Sequence, residues 1–274
     1  MLGYLAAILP LYIFVYLPVS NILFGTSHKP SADITQFNSS FIATNEPLDC
    51  PSHKYNTHIL SLEPLVIYIE DFLSPIESTH LLQISEDKFE PSTVTSGAET
   101  SIQTRIRHSE VAIIDRDDVV RCIEHRARSF QGWRPDLHIE RLRTQRYGVG
   151  GHYAHHYDWS GASRDADRVS TFMVYIDADC EGGGTEFPRI KMPNIADRKW
   201  CEFLECEEGR SDVKDQRPKM GVIFKPKKGN AVFWENLRPD GGGYEETWHA
   251  GLPLSSGWKV GLNIWSWGPA RRSD

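Results

Sequence analysis

The sequence predicts an α+β fold in which helices come first and a β sandwich or barrel follows. The chain has 274 residues, 40% of them hydrophobic, which is enough for one substantial domain with a tail. Its first half carries a helix-capping signature and, further on, a helical apolar stripe. From Ile139 onward, short β-branched and aromatic runs alternate with Gly- and Pro-rich turns.

Residues 1–25 are expected to form a hydrophobic anchor or signal segment. Leu2 to Phe24 contain no charged side chain, and a spanning helix needs about 20 predominantly apolar residues. A cleaved secretory signal is the rival, but such signals carry a basic start and a shorter apolar core. Pro10 and Pro18 are tolerated in a span. A retained single-pass anchor is preferred, which implies a membrane contact and the membrane or lumen of the endoplasmic reticulum. Residues 26–61, rich in Ser, Thr, Asn and Pro, read as a polar linker. Asn38-Ser-Ser40 is an N-glycosylation acceptor if this segment is lumenal.

A globular domain is expected over residues 62–270. Residues 65–69 are a strand by composition. Ser74-Pro75-Ile76-Glu77 is a capping box with proline at the first helical position, and its helix runs to about Asp87. A second helix covers residues 115–130, with Val119, Ile123, Ala127 and Phe130 on one face. Strands follow at 139–147, 170–176, 231–236 and 260–267. Residues 190–220 interrupt them as an inserted, charged surface loop.

Charge and cysteine content exclude other classes. The net charge is −7 and no basic stripe tracks a phosphate backbone, so nucleic acid is not a partner. Five cysteines are too few for a disulfide scaffold. Cys201 and Cys206 flank Glu-Phe-Leu-Glu and suit a local disulfide or two free thiols. They lack the second Cys or His pair that a structural zinc site needs.

The chemistry concentrates in Tyr147-Gly-Val-Gly-Gly-His-Tyr-Ala-His-His-Tyr-Asp158. On a strand, His156 and Asp158 point to the same face and can reach one metal ion. A third ligand from a distant strand would complete a two-histidine, one-carboxylate set, which leaves open positions on ferrous iron. His152 and His156 have helical zinc-site spacing, but Gly148, Gly150 and Gly151 disfavour a helix there. A glycine-rich turn into a strand is therefore expected, with His155 facing away and His152 near the mouth.

These stretches resemble the prolyl 4-hydroxylase group of iron(II)- and 2-oxoglutarate-dependent dioxygenases, in its fungal-type form with the catalytic domain only. The resemblance covers residues 62–268. It rests on the segment from Gln145 to Asp158, on Gly182-Gly-Gly-Thr-Glu-Phe-Pro188, on the segment from Pro226 to Asn236, on His249-Ala-Gly-Leu-Pro, on Gly257-Trp-Lys259 and on Asn263-Ile-Trp265. It implies a double-stranded β-helix, or jelly roll, with flanking N-terminal helices. It implies that His156, Asp158 and His249 hold Fe(II) and act in catalysis. Lys259 would bind the distal carboxylate of 2-oxoglutarate, Tyr147 and Thr185 would hydrogen-bond that cosubstrate, and Trp265 would wall the pocket. Lys259 is apt as a point charge on a long stem. The implied reaction couples decarboxylation of 2-oxoglutarate to succinate with hydroxylation of an unactivated C–H bond, using O2, with ascorbate as a further cofactor. Relatives set a loop over the substrate where Arg105 and Arg107 stand. The peptide-binding domain of animal collagen hydroxylases is missing, so the substrate is a peptide or a small molecule. The rival functions are an inactive membrane-tethered jelly-roll binding module and a zinc-dependent hydrolase.

Overall fold

A computed structural model describes residues 48–96, 99–132, 134–161, 165–193, 198–206 and 220–270. The anchor or signal expected at 1–25, the linker up to residue 47 and the centre of the 190–220 insertion lie outside the described residues. Among those described, no helix is long and apolar enough to cross a membrane.

The elements are, in order, strands β1 (Asn56–Leu62) and β2 (Leu65–Glu70) and helix α1 (Pro75–Ser85). Short strands β3 (Glu90–Pro91), β4 (Val94–Ser96), β5 (Glu99–Ser101), β6 (Arg107–His108) and β7 (Glu110–Ile113) lead to helix α2 (Asp118–Phe130). Then come β8 (His138–Ile139), β9 (Arg143–Tyr147), β10 (His152–His156), β11 (Ala166–Gly182), β12 (Thr185–Lys191), β13 (Met220–Phe224), β14 (Ala231–Glu235), β15 (His249–Gly251) and β16 (Leu254–Pro269). They build a nine-stranded antiparallel sheet, ordered β1-β2-β14-β11-β16-β9-β7-β3 with β8 beside β16. A second, five-stranded sheet runs β13-β12-β15-β10-β6, and β4 and β5 pair separately. Two sheets and two helices agree with the expected α+β class. The mostly antiparallel pairing is consistent with a jelly roll.

Period-two alternation sorts side chains into two layers. On β11, Phe172, Val174 and Ile176 turn to one side of the large sheet. There they meet Ala231 and Phe233 of β14, Val260, Leu262 and Ile264 of β16, and Leu81, Val120, Ile123 and Ala127 of the helices. The intervening Met173 and Tyr175, with Val232 and Trp234, turn toward the small sheet and pack on Phe187, Val222 and Phe224. Phe172 is enclosed by Phe233 at 4.8 Å and by Phe72 and Phe130 at 5.4 Å between ring centroids.

The helices begin where their side chains supply caps. Ser74 accepts from the Glu77 N–H at 3.3 Å while Glu77 accepts from the Ser74 N–H at 2.8 Å, the reciprocal box expected. Glu77 also pairs with Arg126 at 2.5 Å, tying α1 to α2. The second helix starts later than 115, because the Asp117 carboxylate caps the Val120 N–H at 3.0 Å.

Two features depart from expectation. Residues assigned to the end of the linker form β1, which pairs antiparallel with β2. Cys50 and Cys122 form a disulfide across 72 residues, fastening the segment before β1 to α2. Cys201 and Cys206 form the local disulfide, and Cys180 is a free thiol.

Candidate metal and cosubstrate site

The glycine-rich segment is a turn, as expected. The Gly151 N–H bonds to the Gly148 carbonyl at 2.8 Å. A Cβ on Gly151 would stand 2.7 Å from that carbonyl oxygen, so only glycine fits. Strand β10 follows but ends at His156. Asp158 therefore reaches the site from the bend beyond the strand and not by strand parity. His156 is registered opposite His249 of β15.

The three candidate ligands converge. Their ligand atoms lie within 4.8 Å of one another. Asp158 Oδ1 is 3.6 Å from His156 Nε2, and Asp158 Oδ2 is 3.9 Å from His249 Nε2. Each imidazole is oriented through its other nitrogen. His156 Nδ1 bonds to the Ala154 carbonyl at 2.8 Å and His249 Nδ1 to the Thr247 carbonyl at 2.9 Å. A carbonyl only accepts, so Nδ1 carries the proton and both Nε2 lone pairs are free for a metal.

Electrostatics support the same use. Burial pushes the His249 imidazole down to about 4, with the His156 charge adding to the effect, so it stays neutral. Burial alone would raise the Asp158 carboxyl. The His249 and His156 imidazoles and Arg168 outweigh it and hold Asp158 ionised, well below the usual carboxylate range. Two imidazoles with free Nε2 positions beside one carboxylate suit a divalent first-row ion with open positions.

A buried chain of hydrogen bonds, not read from the sequence, braces Asp158. Thr171 donates to Asp158 Oδ2 at 2.9 Å, Asn236 donates to Thr171 at 2.9 Å, and the Trp234 indole donates to Asn236 at 2.8 Å. Tyr153, also missed, stacks on His156 with centroids 3.7 Å apart. Single residues such as Thr171 carry no local signal, because their partners lie on other strands.

The candidate cosubstrate residues come from both sheets. Lys259 is registered opposite Tyr147 on neighbouring strands, and its Nζ lies 4.9 Å over the Tyr147 ring. It is 1% exposed and donates to the Gly183 carbonyl. No carboxylate pairs with it among the described residues, and burial pushes its ammonium down to about 8. A buried cation without an acid is costly unless an anion arrives. Thr185 is buried and accepts from the Tyr175 hydroxyl at 2.8 Å, which leaves its own hydrogen for a ligand. Gly183, at φ +70°, has Leu254 and the Lys259 stem so close that a Cβ would meet Leu254 Cδ1 at 2.9 Å.

Trp265 lies on the same face of β16 as Lys259. Its indole Nε1 is buried without a partner, and the Arg168 guanidinium lies 3.8 Å over its ring. Arg168 is held by Glu140 at 2.5 and 3.0 Å. His155 faces away and pairs with Glu186 at 2.8 Å. His152 bonds the Arg105 carbonyl at 3.2 Å and is not a ligand in this arrangement.

Residues 142–267 match the 2OG-Fe(II) oxygenase superfamily, a span that contains every candidate site residue. Prolyl 4-hydroxylase 5 of Arabidopsis thaliana is 29% identical over 217 residues, 76% of this chain and 69% of that protein. The protein called "Probable prolyl 4-hydroxylase 3" from the same plant is 27% identical over 257 residues, 91% of this chain and 83% of that one. Among solved structures, the viral collagen prolyl hydroxylase vCPH from Paramecium Bursaria Chlorella virus-1, in its 2OG complex, superposes with a TM-score of 0.54 at 26% identity. The match covers 74% of this chain and 96% of that one. None of these relatives bears on the fungal-type refinement.

Proposed function

We propose that this chain, a prolyl 4-hydroxylase-like iron(II)- and 2-oxoglutarate-dependent dioxygenase, hydroxylates a prolyl residue in a peptide, with a small molecule as the alternative substrate. One observation carries the reading. A two-imidazole, one-carboxylate cluster and a buried lysine with no acid partner among the described residues come from the same two sheets.

In this reading His156, Asp158 and His249 hold Fe(II). Iron and 2-oxoglutarate, when bound, supply the oxidation: one atom of dioxygen enters the substrate as hydroxyl, the other enters succinate, and carbon dioxide leaves. The protein's task is to bind, orient and exclude water. Lys259 neutralises the distal carboxylate of 2-oxoglutarate, and the Thr185 and Tyr147 hydroxyls donate to its oxygens. Asp158 keeps its charge through Thr171, and the two imidazoles keep their Nε2 lone pairs through backbone carbonyls. Tyr153 and Trp265 form aromatic walls for the substrate ring. The zinc hydrolase alternative leaves Lys259 without a role. The inactive-module alternative leaves the intact ligand set without one.

The finer reading of the sandwich is a double-stranded β-helix with α1 and α2 outside, in a domain over residues 62–270 that gains β1 at its leading edge. We assign residues 1–25 to a single-pass anchor, 26–55 to a linker and about 190–220 to an insertion. The proposed compartment is the endoplasmic reticulum lumen. Two disulfides, Cys50–Cys122 and Cys201–Cys206, support an oxidising compartment. Ascorbate is the proposed reductant.

The test is succinate release by protein reconstituted anaerobically with Fe(II), then given 2-oxoglutarate and air, with and without proline-rich peptides. Release that requires both iron and 2-oxoglutarate is expected. Iron-bound protein that releases no succinate with any substrate would refute the reading.

A further inference from the structure

The mouth of the site holds more positive charge than its own acids neutralise. Arg143 lies on β9 at positions i−2 and i−4 from Gln145 and Tyr147, so it shares their inward face. Its register partner is Asn263, between Lys259 and Trp265 on β16. Its guanidinium is 6.0 Å from the Trp265 ring. Arg143 Nε is buried with no hydrogen-bond partner. Among the described residues no acid forms an ion pair with it.

A second unpaired guanidinium comes from the other sheet. Arg107 of β6 is registered opposite Tyr153 of β10 and lies 4.7 Å over its ring. Its Nε donates to Ser109 at 3.1 Å, and no acid pairs with it either. The nearby acids are committed. Both Glu140 oxygens receive Arg168, and one also receives the Trp267 indole. Asp158 belongs to the proposed metal site. Arg107 also lines an adjoining cavity of about 460 Å³ with Ile102, Thr104, Glu110, Arg146 and Val149. Arg146 is taken up there by Glu110 at 2.8 Å and Glu86 at 3.1 Å. Ile102 is 59% and Val149 64% exposed, an apolar rim that a bound chain would cover.

Burial and the Glu140, Arg168 and Arg107 charges act on Arg143, and the net effect lowers its pKa. Arginine still remains protonated in proteins. A half-buried guanidinium under the charge of two others is therefore unfavourable in the free protein, and an arriving anion relieves it. Its planar donors suit a carboxylate.

We propose that Arg143, with Arg107 across the mouth, binds a carboxylate of the substrate, and that the substrate is a peptide with an Asp or Glu side chain beside the hydroxylated residue. This rests on the dioxygenase reading above and names the substrate class of that site. The geometry uses one cation from each sheet, so the acid bridges the two walls between which the reacting residue enters.

The experiment uses iron- and 2-oxoglutarate-loaded protein and fluorescent prolyl peptides in matched sets. One residue beside proline is Asp, Asn or Lys, and the carboxyl terminus is free or amidated, which separates a side-chain acid from a terminal one. Anaerobic anisotropy reads binding, and succinate release reads KM. The Asp peptide is expected to bind about tenfold or more tightly than its Asn partner, as a hydrogen bond to a charged group allows. That margin should shrink with added salt. Arg143→Gln should bring the ratio below about threefold, and Arg143→Lys should keep part of it. Arg141→Gln removes a surface arginine that pairs with Asp115 and should keep the full ratio. Melting curves confirm that each variant folds, and Arg107→Gln provides a second route if Arg143→Gln does not. Equal affinity for Asp and Asn peptides, a preference that depends only on the terminal carboxylate, or no binding of any acidic peptide overturns the proposal. If acid preference in binding survives but 2-oxoglutarate is never consumed, the dioxygenase reading fails and this one stands.

Discussion

Replacing Lys259 with methionine should move two measurements in opposite directions. The lysine is buried, and burial pushes its ammonium from 10.5 to about 8. Each pKa unit corresponds to about 1.4 kcal/mol, so holding this charge costs the metal-free protein about 3 kcal/mol. The folded pKa lies below the unfolded one. The penalty is therefore full below about pH 8 and fades as pH rises toward 10.5. Lys259→Met removes the penalty but leaves the Gly183 carbonyl without its donor, which costs about 1–3 kcal/mol. The net change for the metal-free protein is zero to a gain of about 2 kcal/mol, a Tm unchanged or raised by a few degrees. The distal carboxylate of 2-oxoglutarate, by contrast, would be buried without a cation. Breaking such a pair costs about 3–5 kcal/mol, which weakens Kd by about 10²- to 4 × 10³-fold. Calorimetric titration of iron-loaded protein reads Kd, and scanning calorimetry of metal-free protein reads Tm. In the wild type, affinity for 2-oxoglutarate should fall above about pH 8 as Lys259 loses its proton; the variant should show no such step. A variant that destabilises the metal-free protein by more than about 3 kcal/mol yet loses less than tenfold in affinity would mean the lysine is a structural cation.

Further outcomes follow from the site. Asp158→Ala should bring iron content after anaerobic reconstitution below about a tenth of wild type, and tight iron binding in the variant would remove Asp158 from the ligand set. Thr171→Val deletes the hydrogen bond to Asp158 Oδ2 and should weaken iron binding about 10- to 100-fold in a competition titration with a chelator of known affinity. An unchanged affinity would make the Thr171–Asn236–Trp234 chain purely structural. Phe172→Ala should cost about 3–5 kcal/mol in urea unfolding, because its ring meets Phe233 of β14, Phe130 of α2 and Phe72 of the turn before α1, and a loss under 1 kcal/mol would contradict that packing.

What could be read from the sequence was what local pattern encodes. The Ser74–Glu77 box is local to four residues and gave α1 its start. Strands β9, β11, β14 and β16 were legible because β-branched and aromatic runs stand there between Gly- and Pro-rich turns, though β11 and β16 run longer than their apolar centres. The candidate site was legible as a resemblance built from several stretches in order. Long-range features left no such trace. Cys50 and Cys122 are 72 residues apart, and neither has a partner motif nearby. Asn236 reaches Thr171 across 65 positions. Strand β1 resembled a linker because it is an edge strand whose residues are largely exposed or half-buried, so its pairing with β2 is carried by backbone groups. Asp158 was expected to share a strand with His156. The strand stops at His156, and the register between β10 and β15 shifts just before it.

The apolar layer on the helix side of the large sheet also determines the chemistry on its other side. Val260, Leu262 and Ile264 belong to that layer, while Lys259 and Trp265 face the small sheet. The strand period is two, so a slip of one residue along β16 would turn all of them over. It would drive Lys259 into the layer around Phe172 and put Trp258 or Val260 in the place that Lys259 holds opposite Tyr147. The cost of burying that charge among apolar side chains forbids the slip. Register, and with it the position of the Lys259 ammonium, is thus enforced by Val260, Leu262 and Ile264, which face away from the candidate site. The same holds for β11, where Phe172 and Val174 keep Thr171 turned toward Asp158.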